Sequence, residues 1–152
     1  QPPAGNDVTR FPEGLAIAEL KTQDSAWPKS EYRTQELEFD GYVLDKNQRP
    51  TFKYSRNQVS ITDKAIPLAG SSAEVPSGFK RLILFSGKEG KDNLFFRLAA
   101  GAFEKKGDFY RGDELTIQVK GGVVFKVKDE LRVPISFQND KGKLEIIYSW
   151  ND

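Results

Sequence analysis

Short runs in which apolar and polar side chains alternate one for one, each bounded by turn residues, dominate the sequence. That period confines the chain to half-buried antiparallel strands. Leu115, Ile117 and Val119 alternate with Thr116, Gln118 and Lys120, and Leu144, Ile146, Tyr148 and Trp150 all face one way along a later run. Trp150 is therefore expected in the core. Leu131, Val133, Ile135 and Phe137 alternate with Arg132, Pro134 and Ser136. Pro134 cannot donate to a ladder, so this strand is expected at an edge or a bulge. Over 36–44, Leu37, Phe39, Gly41 and Val43 are expected on one face, with Glu36, Glu38, Asp40 and Tyr42 on the other. The run from Phe79 to Phe85 is apolar on both faces, as in a central strand. Asp45-Lys46-Asn47-Gln48, Gly121-Gly122 and Asn139-Asp140-Lys141-Gly142 read as hairpin turns.

No window shows a helical period; the best, Asp24 to Leu37, is interrupted by Pro28. About ten strands at intervals of roughly 8–12 residues predict an all-β fold, an antiparallel β-sandwich of jelly-roll-like type. A length of 152 residues suits one domain. Residues 1–10 read as a linker or N-terminal tail, and residues 11–152 as the single sandwich. The Gly70 to Gly78 segment reads as a loop within it.

Composition removes chemistry. The chain has no Cys, His or Met, which excludes a disulfide framework, thiolate and imidazole metal sites, and a Ser-His-Asp triad. Every usual haem axial ligand except Tyr is missing too, so no cofactor is expected. Lys plus Arg total 23 against 22 Asp plus Glu, a balance that argues against binding to a phosphate backbone. No stretch approaches the ~20 apolar residues that span a membrane, so no membrane insertion is expected.

Glu36 and Glu38, two residues apart on one strand face, and Asp113 with Glu114 before a strand are candidate carboxylate pairs. Both suit a solvated outer face, and no catalytic residue or enzyme activity is inferred from them. The loops Gly87 to Asn93 and Gly107 to Glu114 are oxygen-rich but match no calcium-loop pattern, and turn chemistry accounts for them, so no metal site is assigned. Lys80, Arg81, Lys105, Lys106 and Arg111 could face an anionic ligand, yet acidic neighbours interrupt each cluster.

Aromatic side chains carry the more specific signal, with 11 Phe, 5 Tyr and 2 Trp. Sugar rings pack their C–H faces on exposed aromatic planes. Trp27 in an irregular segment, Tyr32 close after it, Tyr42 and Tyr54 on opposite arms of a hairpin, and Tyr110 in a turn are the candidate ligand-binding residues. Taken singly, each is better read as structural, Trp27 plugging one end of the sandwich and each Tyr supporting a corner or covering an edge; the signal lies in the group.

The strings Leu15-Ala16-Ile17-Ala18-Glu19-Leu20, Asp24-Ser25-Ala26-Trp27-Pro28, Phe39-Asp40-Gly41-Tyr42-Val43-Leu44-Asp45 and Arg49-Pro50-Thr51-Phe52-Lys53-Tyr54 carry a resemblance, with Val133-Pro134-Ile135 and Tyr148-Ser149-Trp150 near the end. Over most of its length the chain resembles a β-rich accessory domain of large secreted bacterial proteins. Those proteins also carry a c-type haem segment, often beside sugar-dehydrogenase-like propellers or carbohydrate-active domains. The resemblance implies a periplasmic or extracellular location and transfers no catalytic residue. The Cys-x-x-Cys-His segment of the larger proteins is absent from this sequence.

Two functions are therefore expected in competition. One is a non-catalytic module that binds polysaccharide through exposed aromatics. The other is a structural docking domain that positions a neighbouring haem-carrying or dehydrogenase domain of the same polypeptide. The second calls for an exposed apolar patch.

Overall fold

A computed structural model describes residues 16–28, 37–69, 77–88 and 93–151. In chain order the strands are β1 (Ile17–Glu19), β2 (Glu38–Leu44), β3 (Pro50–Arg56), β4 (Val59–Leu68), β5 (Gly78–Ser86), β6 (Leu94–Ala100), β7 (Glu104–Lys106), β8 (Phe109–Arg111), β9 (Leu115–Lys120), β10 (Phe125–Val127), β11 (Glu130–Pro134) and β12 (Lys141–Trp150). They form a four-stranded sheet in the order β1-β6-β11-β10 and an eight-stranded sheet in the order β2-β3-β4-β5-β12-β9-β8-β7. All pairings are antiparallel. The two sheets form a β-sandwich and do not close into a barrel. The expected tail at residues 1–10 and the position of Tyr32 lie outside the described residues.

Alternation decides what each strand buries. Val59 and Ile61 of β4, Ile83 and Phe85 of β5, and Leu144, Ile146 and Tyr148 of β12 point inward. They meet Leu94, Phe96 and Leu98 of β6 and Leu131 and Val133 of β11. The smaller sheet thus covers the middle of the larger one. Beyond it the larger sheet overhangs: every residue of β2 is exposed or half-buried.

Four sequence expectations are corrected. Gly121-Gly122 does not turn a hairpin, because β9 belongs to the larger sheet and β10 pairs with β11 in the smaller. The glycines carry the chain between layers where space is short: a Cβ on Gly122 would lie 2.5 Å from Val133 Cγ1. Asn139-Asp140 does turn tightly, with Gln138 and Lys141 exchanging both backbone hydrogen bonds and both turn residues at positive φ. The hairpin it begins is only a bridge, since β11 has already left for the other sheet. Pro134 sits in neither an edge strand nor the bulge, which falls between Leu131 and Arg132. β11 lies between β6 and β10, but β10 ends its pairing at Arg132, so Pro134 has a partner on one side only.

Trp150 is the fourth correction, at 39% exposed. Its parity is the one expected, shared with Leu144, Ile146 and Tyr148, which are all buried. The strand outruns the covering sheet, leaving Trp150 beside Phe79 at 6.0 Å between ring centroids.

The turn at Asp45 is as tight as its residues predict. The Asn47 and Arg49 N–H groups donate to Asp45 Oδ1 at 2.8 and 2.9 Å, and the Lys64 ammonium lies 2.9 Å from Oδ2. The Arg49 N–H, and then Lys64, hold the Asp45 carboxyl at about 2, below its ordinary 3.8. A depressed folded-state value adds stability that is full above about pH 4 and is lost as pH falls toward about 2. Asp45→Asn is expected to flatten the fall of the urea midpoint across that window. Parallel acid limbs for the two proteins would refute this.

Candidate functional site

The overhang is where none of the described strands covers the inner face of the larger sheet. Phe39 of β2 pairs with Tyr54 of β3, but the next pair is Gly41 with Lys53, which leaves Asp40 as an extra residue. The bulge is accommodated by Gly41 at φ +105°. It reverses the parity of the strand. Phe39 and Tyr42, three residues apart and expected on opposite faces, both point to the inner side, because Tyr42 pairs with Phe52 and Phe52 shares a face with Tyr54. The four rings touch in series: Tyr42 to Phe52 at 6.1 Å, Phe52 to Phe39 at 6.4 Å, and Phe39 to Tyr54 at 5.4 Å between centroids. Tyr42 is 59% exposed, Phe39 56% and Phe52 37%.

Tyr54 joins this stripe to a cavity of about 240 Å³ that opens between the sheets, with Leu37, Ile61, Asp63, Arg81 and Phe96 among its lining. Arg81 Nε donates to both Asp63 oxygens, at 2.9 and 3.0 Å, and Nη2 also donates to Oδ2. The guanidinium lies 5.1 Å from the Phe96 ring centroid. Burial lowers the Arg81 pKa and the Asp63 carboxylate raises it by more, so the guanidinium stays charged. Burial, and then the negative charge of Asp63, push the Tyr54 hydroxyl up, so it remains a protonated donor. The cleft thus offers aromatic planes, a hydroxyl donor, and a carboxylate and guanidinium with hydrogen-bonding capacity beyond their mutual pair. Among the described residues, Asp63 is the carboxylate in the cavity lining, whereas glycoside hydrolysis ordinarily uses two.

The structure brings together Tyr42 and Tyr54 of the five expected residues. Tyr110 is half-buried on β8, its hydroxyl 3.5 Å from the Val124 carbonyl. Six strand positions separate β8 from β2, on the order of 29 Å at ~4.8 Å per strand. Trp27 lies on the outer side of the smaller sheet, packed on Ala18, Leu20 and Phe95. Arg97 and Arg132 place their guanidinium carbons 5.0 and 5.4 Å from its ring centroid. Arg132 in turn donates to the carbonyls of Gln23 and Ser25 and pairs with Glu130, fixing the segment that carries Trp27.

Phe39, Phe52, Asp63 and Arg81 are additions to the expected set. Phe52 was legible, since it alternates in step with Tyr54. Phe39 was not, because only Asp40-Gly41 inside a strand signals the bulge. No protein-family model, curated protein or solved structure matches the chain.

Proposed function

We propose that this chain is a non-catalytic carbohydrate-binding module, acting as an accessory domain of a secreted multidomain protein. One observation carries the reading: Phe39, Tyr42, Phe52 and Tyr54 form a continuous aromatic stripe on an uncovered sheet face that runs into a cleft floored by Asp63 and Arg81. Sugar rings stack along the stripe, and their hydroxyls turn to the polar groups of the cleft. The resemblance to accessory domains of secreted haem-carrying proteins supports a periplasmic or extracellular setting.

The test is affinity electrophoresis against a panel of neutral polysaccharides. At least one polymer is expected to retard the folded domain. Tyr42→Ala with Phe52→Ala is expected to weaken that retardation about tenfold or more, equivalent to ~1.4 kcal/mol or more, with little change in melting. Trp27→Ala is expected to do the reverse. It should keep binding while costing about 2 kcal/mol of stability, less than a fully buried Trp because this ring is half-buried. A folded domain that no polymer retards would sink the reading.

A second reading is favoured by a different feature of the same strand. Val43 and Leu44 are 50% and 51% exposed, which makes the β2 edge apolar beyond its aromatic face. A domain that positions a haem-carrying or dehydrogenase neighbour would use such an edge. Val43→Ser with Leu44→Ser separates the two: sugar binding survives it, whereas docking to a neighbouring domain does not.

A further inference from the structure

The opposite face of the larger sheet gathers charge that the sequence scatters. Lys53 of β3, Thr62 of β4, Leu84 of β5 and Lys143 of β12 pair in one row across four strands. The next row is Ser55, Ser60, Ser86 and Lys141. Lys120 of β9 lies diagonal to Lys143, paired with Glu145. All four lysines are exposed. Among the described residues none of them makes an ion pair, in contrast to Lys64 with Asp45 and Lys80 with Glu145. Among the described residues, Glu38 beside Ser55 and the bulge residue Asp40 beside Gly41, the partner of Lys53, face the same way at the far edge, so the basic character is concentrated toward β12 and β9. A chain of net charge +1 therefore turns one basic face outward.

That face is also shaped. A trough of about 750 Å³ runs over Ser60, Thr62, Leu84 and Ser86, with Lys141 and Lys143 along one side and Ser136 and Gln138 in its wall. From Lys53 to Lys143 spans three strand steps, roughly 14 Å, and Lys141 and Lys143 are roughly 7 Å apart along β12. Its lining sets the hydroxyls of Ser60, Thr62, Ser86 and Ser136 and the Gln138 amide within a larger share of apolar surface, and its cations are ammonium groups.

We infer that this trough is a second binding site, for an acidic polysaccharide, distinct from the aromatic stripe on the other side of the sheet. Ammonium groups pair with carboxylates on successive rings, and the serine and threonine hydroxyls exchange hydrogen bonds with ring hydroxyls. Single-stranded nucleic acid is disfavoured because the described residues of the trough present no exposed aromatic on which bases could stack, and no arginine fork for phosphate. A bilayer surface is disfavoured because Leu84 lies within the trough instead of on a protruding tip.

Affinity electrophoresis in gels containing polygalacturonate tests the site, with fully methyl-esterified polygalacturonate as the uncharged control. The expected result is retardation by the acid form alone, falling steeply as salt is raised. Lys141→Gln with Lys143→Gln should weaken it about tenfold while melting stays unchanged. Tyr42→Ala with Phe52→Ala should leave it intact, so failure of the aromatic site and failure of this one are distinguishable. The inference is overturned by any of the following: no retardation, equal retardation by the ester, insensitivity to the lysine changes, loss on the aromatic changes, or tighter binding to oligothymidylate or phosphatidylserine vesicles than to polygalacturonate.

Discussion

Asp63→Ala is expected to destabilise the domain by about 3–5 kcal/mol, the usual cost of removing one partner from a buried ion pair. The Asp63 and Arg81 side chains are only 15% and 25% exposed, and Arg81 lies against Phe96 of the covering sheet. Without the carboxylate, a permanent charge remains between the layers, beside the Phe96 face and the Tyr148 hydroxyl, which replace little of the hydration it gave up. A double change, Asp63→Leu with Arg81→Met, removes both charges and should recover most of the loss. Urea unfolding of the two single variants and the double one closes the cycle. A loss below about 1 kcal/mol for Asp63→Ala would show that water screens the pair and that the cleft is wetter than its lining implies.

Gly78→Ala is expected to cost about 3 kcal/mol or more, or to prevent folding. Gly78 pairs with Leu68 on one side and Ser149 on the other, and an added Cβ would lie 1.9 Å from the Tyr148 carbonyl oxygen and 2.9 Å from the Ser149 Cα. Those neighbours are backbone in the middle of a sheet, so relief requires separating β5 from β12. The Trp150 N–H donates to the Ser77 carbonyl at 2.9 Å, which places a fluorescent reporter at the damaged end. Unfolding followed by tryptophan emission would measure the effect, and a change under about 1 kcal/mol would mean that the ladder gives more easily than its pairing suggests.

Alternation was a sound guide to what each residue faces and a poor guide to what lies opposite it. The inward sets of β4, β9 and β12 follow from spacing alone, because apolar burial selects one parity per strand, whereas β5, apolar on both faces, shows its inward side only in the packed sheet. Which sheet a strand joins depends on pairing at a distance, so Gly121-Gly122 read as a hairpin while serving as a passage between layers. Trp150 had the right parity and the wrong depth, since the reach of the smaller sheet is invisible in the run of β12. The strands β1, β7 and β8, with 3 residues each, are too short for a period to show. Both candidate sites were hidden for related reasons: one depends on a bulge at Asp40, and the other on lysines from three strands that share a face only once the sheet is assembled.

The position of β12 has a consequence for how the fold is reached. β2 to β5 form a meander in which each strand pairs with its predecessor, and β7 to β9 form a second one, so both can zip up from local contacts. Only β12 joins them, and it follows both in the chain. Its pairing with β5 spans everything from β6 to β11, a non-local closure of the kind that slows folding. Until that closure, β5 and β9 are raw edges carrying Ile83, Phe85, Leu115 and Ile117, the sort of exposed strand that invites pairing with another chain. Proper assembly of the domain thus becomes a race between one late insertion and intermolecular addition at those two edges.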